Sequence, residues 1–160
     1  MTWARGRAGI EQLLADGELE IVTASETHAL RLLDEAHRHL RSAEQIADGD
    51  TTGAYQLAYD AARKACSALL AVQGLRATTK GGHIAIQDAV REQFGGPGGA
   101  KAFDALGRMR RQRAASEYPR PDTPTITPDD TTDAINTTRT ILTNTKQLLD
   151  THRLDPFHTP

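Results

Sequence analysis

The sequence predicts an all-α protein, an up-and-down bundle of four to five helices in one domain. Three observations predict it. Aromatic residues make up only 4% of the chain, and Ala and Leu carry the apolar content, which suits close helix packing better than a β-sandwich. Apolar residues recur at helical spacing over several long stretches. Between those stretches lie Gly and Pro clusters that stop helices. With 160 residues the chain can bury one core.

The elements follow in order. Ile10, Leu13 and Leu14 give a short helix over 8–16, and 19–22 is a brief extended or connecting piece. Thr23 or Ser25 can cap a second helix reaching about Asp48, with an apolar face of Leu30, Leu33, Ala36, Leu40, Ala43 and Ala47. Asp48 to Thr52 is a turn with a new cap. A third helix, rich in alanine, runs over 53–73 and stops at Gly74. Gly81-Gly82-His83 opens a fourth, carrying Ile84, Ile86, Ala89, Val90 and Phe94, and Gly95-Gly-Pro-Gly-Gly99 breaks it. A fifth spans 100–116 with Phe103, Leu106 and Met109 inward, and Pro119, Pro121 and Pro124 then hold an extended linker. Thr127-Pro128-Asp129-Asp130 starts the last helix with a cap, a first-turn proline and acid at the positive end of the dipole. Its many threonines are poor helix formers, so it depends on packing by Ile135, Ile141, Leu142, Leu148 and Leu149. The chain thus divides into a short helix and connector over 1–23, one helical domain over 24–152 and a frayed tail over 153–160.

Composition narrows the function. A net charge of −2 rules out a globally basic nucleic-acid binder, so such binding would need a local patch. No apolar run approaches the roughly 20 residues of a membrane span, and the N-terminus lacks the apolar core of a secretion signal. The cytoplasm is the expected compartment. Cys66 is the only cysteine, so no intrachain disulfide can form. His37 and His39 lie two apart and point to different sides of a helix, and no metal or cofactor site is expected. The glycine loop is not a phosphate loop, because Ala100 precedes Lys101 and Ala102 follows it.

The strongest local signal is Arg108-Met-Arg110-Arg111-Gln-Arg113-Ala-Ala-Ser116-Glu-Tyr118-Pro119. Four arginines crowd a helix that ends at once, which suits phosphate, carboxylate or an acidic partner. A wheel places Arg110 toward the apolar side and Arg111 off it, with Tyr118 on Arg111's side. The plainer reading is a solvated helix end, with Arg113 and Glu117 as an i,i+4 pair. Tyr55, Tyr59 and Arg63 line one side of the third helix, and spacing alone favours an amphipathic boundary stripe there.

These residues resemble the HEPN superfamily, whose signature is Arg, a polar residue, three variable residues, His, one variable residue and Tyr, late in a helix. Arg111-Gln112-Arg-Ala-Ala-Ser116-Glu-Tyr118 fits that frame with Ser116 in the histidine slot. A second register puts Arg113 in the arginine slot and Tyr118 in the histidine slot. The alanine-rich run Tyr55 to Cys66 and Gly81-Gly82-His83 agree in outline. The resemblance implies a homodimer in which two motifs meet to form an RNA-cleaving site, the histidine moving a proton and the arginine steadying phosphate. It also implies a place in toxin–antitoxin or phage-defence modules, often beside a nucleotidyltransferase antitoxin, which in some pairs attaches AMP to the tyrosine matching Tyr118.

The departure shapes the expectation. A general acid or base works best with a pKa near the operating pH, which histidine has and serine and tyrosine lack. Weak or absent metal-independent RNA cleavage is therefore expected, with RNA or partner binding by Arg108, Arg110, Arg111 and Arg113 retained. Arg111, Ser116 and Tyr118 form the degenerate motif, and Tyr118 is the candidate for modification. His83 could bring an imidazole from another helix, beside the plainer reading of a lone histidine at a helix start as a capping or solvent group. A different class of function is a non-catalytic interaction subunit that binds a nucleotidyltransferase or other effector and not RNA.

Overall fold

The structure, a computed structural model, describes residues 3–158. Helix α1 spans Arg7–Ala15, α2 Glu26–Ile46, α3 Thr51–Val72, α4 Gly82–Phe94, α5 Leu106–Glu117 and α6 Pro128–Asp150. The all-α class holds, with the short first helix followed by five helices in the expected order. Helix α3 is the axis of the molecule and touches α2, α4, α5 and α6. Its burial explains its composition: Ala54, Ala58, Ala61, Ala62, Ala65 and Ala68 are all solvent-inaccessible. A helix that is apolar nearly all round must be enclosed, and alanine lets its neighbours come close.

Local chemistry sets the ends of α2 and α3. The Ser25 hydroxyl accepts from the His28 N–H, and the Asp50 carboxylate accepts from the Gly53 N–H at 2.9 Å. Gly74, with φ of +66°, reverses the chain after α3. Helix α2 buries Ala29, Leu33, Ala36, Leu40 and Ala43, whereas Leu30, read as part of that face, is 55% exposed. Ala29 takes the inward position because it meets Ala68 and Ala71 of α3, where a leucine would be too large. Ile84 of α4 is likewise exposed, while Ala85 and Ile86 face inward.

A second strand is a further difference. Leu19–Ile21 (β1) pairs antiparallel with Leu75–Ala77 (β2), with Leu19 opposite Ala77 and Ile21 opposite Leu75. Three residues carry no usable alternation, so the pairing is imposed by the tertiary fold. The fifth helix does not begin at Ala100. A 3₁₀ turn over Lys101–Ala105 comes first, with Phe103 buried.

Helix α6 begins with the expected cap in full: Thr127 accepts from the Asp130 N–H while Asp130 accepts from the Thr127 N–H. Its threonines have a role that propensity misses. Thr131, Thr138 and Thr145 are buried along one stripe. The Thr131 hydroxyl donates to the Thr51 carbonyl and the Thr138 hydroxyl to the Ala58 carbonyl, each at 2.9 Å.

The tail does not fray through residue 158. Phe157 is 4% exposed, its N–H donates to the Gln73 carbonyl at 2.7 Å, and the Arg7 guanidinium lies 4.8 Å from its ring centre. An aromatic side chain with a vacant apolar seat outweighs the entropy of a few ordered residues. Among the described residues, no helix is long and apolar enough to cross a membrane.

Candidate functional site

Helix α5 lies against the bundle through Leu106, Gly107 and Met109, which are buried. Gly107 lets α5 approach α4 closely: a Cβ there would stand 2.9 Å from the end of the Gln87 side chain, which would have to swing aside. This seating fixes where each arginine goes. Arg108 lies on the α6 side, in a recess it lines with Tyr55, Gln112, Asp130 and Asp133. The Asp130 carboxyl is held below its ordinary range by its bonds to Thr127, with Gln112 and the Arg108 charge adding to them. Arg110 lies on the opposite flank, where its Nε donates to Gln87 Oε1 at 3.2 Å. Arg113 points between them. Its guanidinium sits 5.8 Å from the Tyr59 ring centre and pairs with Glu117 at 2.7 Å. Arg111 faces solvent with no ion pair among the described residues.

Tyr59 is the hub. It is 2% exposed, and its phenol oxygen lies 3.1 Å from His83 Nδ1 at the start of α4. One turn along α3, Arg63 pairs with Asp60, yet its Nε is buried without a partner among the described residues. Asp60 also meets His39 Nδ1 at 2.7 Å and Lys64 at 3.8 Å, and Lys64 reaches Glu35 at 2.8 Å. Burial pushes Asp60 up, but the hydrogen bond and charge of Arg63, with Lys64 and His39, outweigh it and hold the carboxyl below its usual range.

Burial favours the neutral forms of both Tyr59 and His83. Burial pushes the Tyr59 phenol up to about 12, against the pull of Arg63, Arg110 and Arg113. His83 is pushed below its ordinary value, first by burial and then by Arg63 and Arg113; Asp60 opposes this and Arg110 adds to it. At neutral pH, therefore, Tyr59 is a protonated phenol and His83 a neutral imidazole. Tyr55 is also raised to about 12 by burial, and its hydroxyl donates to Gln112 Oε1 at 2.9 Å.

The two motif positions behave differently. The Ser116 hydroxyl donates to the Arg113 carbonyl at 2.7 Å, and the Gln56 amide approaches it at 3.5 Å. Neither neighbour is a base that could activate it. Tyr118 closes α5 and is 84% exposed. The sequence centres the site on α5, with His83 as a possible imidazole from another helix and Tyr55, Tyr59 and Arg63 read as a boundary stripe; the structure brings Tyr59 and Arg63 of α3 and His83 of α4 close to Arg110 and Arg113. The signal was present in the Tyr55, Tyr59, Arg63 spacing and in Gly81-Gly82-His83, but spacing cannot say which helices meet.

Other candidates resolve locally. The glycine loop is latched from within, with Arg5 donating to the Gly95 and Pro97 carbonyls and Asp104 accepting from the Gly96 N–H. Cys66 is buried and its thiol is pushed up to about 12.

An Ala-rich axial helix, four helices packed on it and a cationic cluster closing the fifth define a small all-α domain of the HEPN kind. The family model described as the HEPN domain matches residues 29–148, three quarters of the chain, and this chain belongs to the HEPN family. The matched span takes in α3, α4, α5 and nearly all of α2 and α6, and so every residue of the hub. No curated protein and no solved structure matches the chain.

Proposed function

We propose that this chain is the HEPN component of a toxin–antitoxin or phage-defence module and that it binds RNA through the α5 arginines. One observation carries this reading: Arg110 and Arg113 turn inward onto the Tyr59 hub, and among the described residues Arg110 pairs only with the neutral Gln87. A half-buried guanidinium without a carboxylate is costly unless a ligand supplies the missing anion. RNA phosphate fits that need. Cleavage is weak or absent, because Ser116 and Tyr118 stand where the motif histidine would be and Ser116 has no base beside it.

The outer face of α5 supports a second part of the reading. Arg111, Ala114, Ala115 and Tyr118 are exposed together. Arginine and tyrosine around two alanines suit a contact with another protein, since such residues dominate interface energetics. That face serves a homodimer, or a nucleotidyltransferase antitoxin able to reach Tyr118. If the protein binds such a partner and no RNA, it is a non-catalytic interaction subunit.

The test is RNA binding across a salt series, by fluorescence anisotropy with a labelled single-stranded oligonucleotide. Binding should weaken steeply with salt, and Arg110→Ala with Arg113→Ala should flatten the slope by about 0.7 per lost phosphate contact. A dissociation constant that the double substitution leaves untouched would overturn the assignment. A metal-free cleavage assay on wild type, Arg111→Ala and Ser116→His covers the chemistry. Cleavage by wild type that Arg111→Ala removes would show an active ribonuclease; cleavage only by Ser116→His would show a degenerate motif in the Arg111 register.

A further inference from the structure

We propose that Arg63 of α3 and His83 of α4 form the second wall of a composite phosphate site, opposite Arg110 and Arg113 of α5, and that a phosphodiester group of RNA is its ligand. This rests on the RNA-binding reading above and extends it from one helix to three.

The charges around the hub nearly balance. Asp60 pairs with Arg63 and Glu117 with Arg113, while among the described residues Arg110 meets only an amide. One guanidinium charge is left over, and a phosphodiester carries one negative charge. The paired arginines still have donors to give, because each pair engages a single nitrogen of a five-donor group. Arg63 Nε–H is the clearest case, a buried donor with no acceptor among the described residues. Such a donor is rare in a folded protein unless a ligand or ordered water completes it.

His83 supplies another donor. In the tautomer in which the Tyr59 phenol donates to Nδ1, the neutral imidazole carries its hydrogen on Nε2, away from Tyr59, and His83 lies at the exposed edge of α4. The charged groups acting on this ring are Arg63 and Asp60 of α3 and Arg110 and Arg113 of α5, with Tyr59 in direct contact. The arginines keep the ring neutral, and a bound phosphate offsets them. His83 then takes up a proton at Nδ1 and the Tyr59 hydroxyl turns to accept it. Binding is accordingly coupled to proton uptake and strengthens as pH falls through the His83 pKa of the complex.

The experiment follows His83 in the wild-type protein by NMR with ¹³C-labelled histidine, alone and saturated with a single-stranded RNA oligonucleotide; His83→Gln assigns the resonance. Anisotropy on the wild type, His83→Gln and Arg63→Gln accompanies it at about pH 5.5 and about pH 7.5 at constant ionic strength. The His83 titration should move to higher pH on RNA binding. Wild-type binding should be several-fold tighter at the lower pH, His83→Gln should lose that difference, and Arg63→Gln should weaken binding about tenfold. RNA bound through Arg110 and Arg113 with the His83 titration unmoved and Arg63→Gln neutral would overturn the second wall and leave the RNA-binding reading standing. Binding that requires a 5′-terminal phosphate would overturn the phosphodiester assignment. No RNA binding at all would remove the reading itself, and this site with it.

Discussion

At the residue scale, burial decides what each polar group can do. Thr138 and Thr145 occupy equivalent positions on α6, yet the Thr138 hydroxyl has the Ala58 carbonyl and the Thr145 hydroxyl has no partner among the described residues. A buried hydroxyl without a partner costs about 1–3 kcal/mol, so Thr145→Val should stabilise the fold by about 1 kcal/mol. Thr138→Val should destabilise it by a similar amount; urea denaturation of the two variants checks the opposite signs. Cys66 gives a pH window. Its folded thiol titrates near 12 against about 8.5 when unfolded, so the neutral thiol is the stabilised form. That contribution is complete below about pH 8.5 and is lost as pH rises from there toward 12. Between pH 7 and 10, wild type should therefore lose about 2 kcal/mol more than Cys66→Ala. Equal losses in the two proteins would mean that the thiol is not shielded. The motif residues belong to the same scale. Serine and tyrosine in the histidine slots were visible in the sequence, but that the Ser116 hydroxyl bonds to its own helix required coordinates.

At the element scale, capping and periodicity were legible and contact partners were not. Ser25, Gly74 and the Thr127–Asp130 box act where the sequence puts them, because caps are local chemistry. The inward positions of α2 slipped by one residue, from Leu30 to Ala29, because side-chain size at the α3 contact outranks hydrophobicity. Strand β2 and the 3₁₀ turn before α5 left no local pattern. The tail is the largest discrepancy: a segment rich in polar residues and proline reads as frayed, yet Phe157 finds a seat beside Arg7 and Gln73. If that seat ties α1, the tail and the end of α3 together, Phe157→Ala should destabilise the fold by about 3 kcal/mol in denaturant titration. A change under about 0.5 kcal/mol would show the tail to be ornamental.

At the scale of the whole molecule, the arrangement of α5 points beyond a single chain. Arg110 and Arg113 face the hub, while Arg111 and Tyr118 face out, so one copy cannot bring Arg111 to its own His83. We propose a pair of chains related by a two-fold axis along the outer face of α5, in which each Arg111 meets the outer face of the partner's α5. The resemblance implies a homodimer, and the outward-facing Arg111 and Tyr118 make this face of α5 the one we propose for it. Helix α5 has 12 residues and is too small alone for a stable interface of about 1,600 Å². A dimer on this face would also have to recruit the exposed linker at Pro119, Arg120 and Pro121, which continues from Tyr118. In a two-fold contact every substitution meets itself or its neighbours twice. Ala115→Arg adds a cation one turn from Arg111 on both copies, and four guanidinium groups would crowd a surface that buries none of their counterions. Wild type should run as a dimer by light scattering at tens of micromolar, and Ala115→Arg as a monomer with unchanged helicity and melting. The monomer should also bind RNA more weakly than the dimer, because it offers one hub where the dimer offers two at a fixed separation. A dimer that tolerates Ala115→Arg would place the interface on another face and return Arg111 to the role of a solvated helix end.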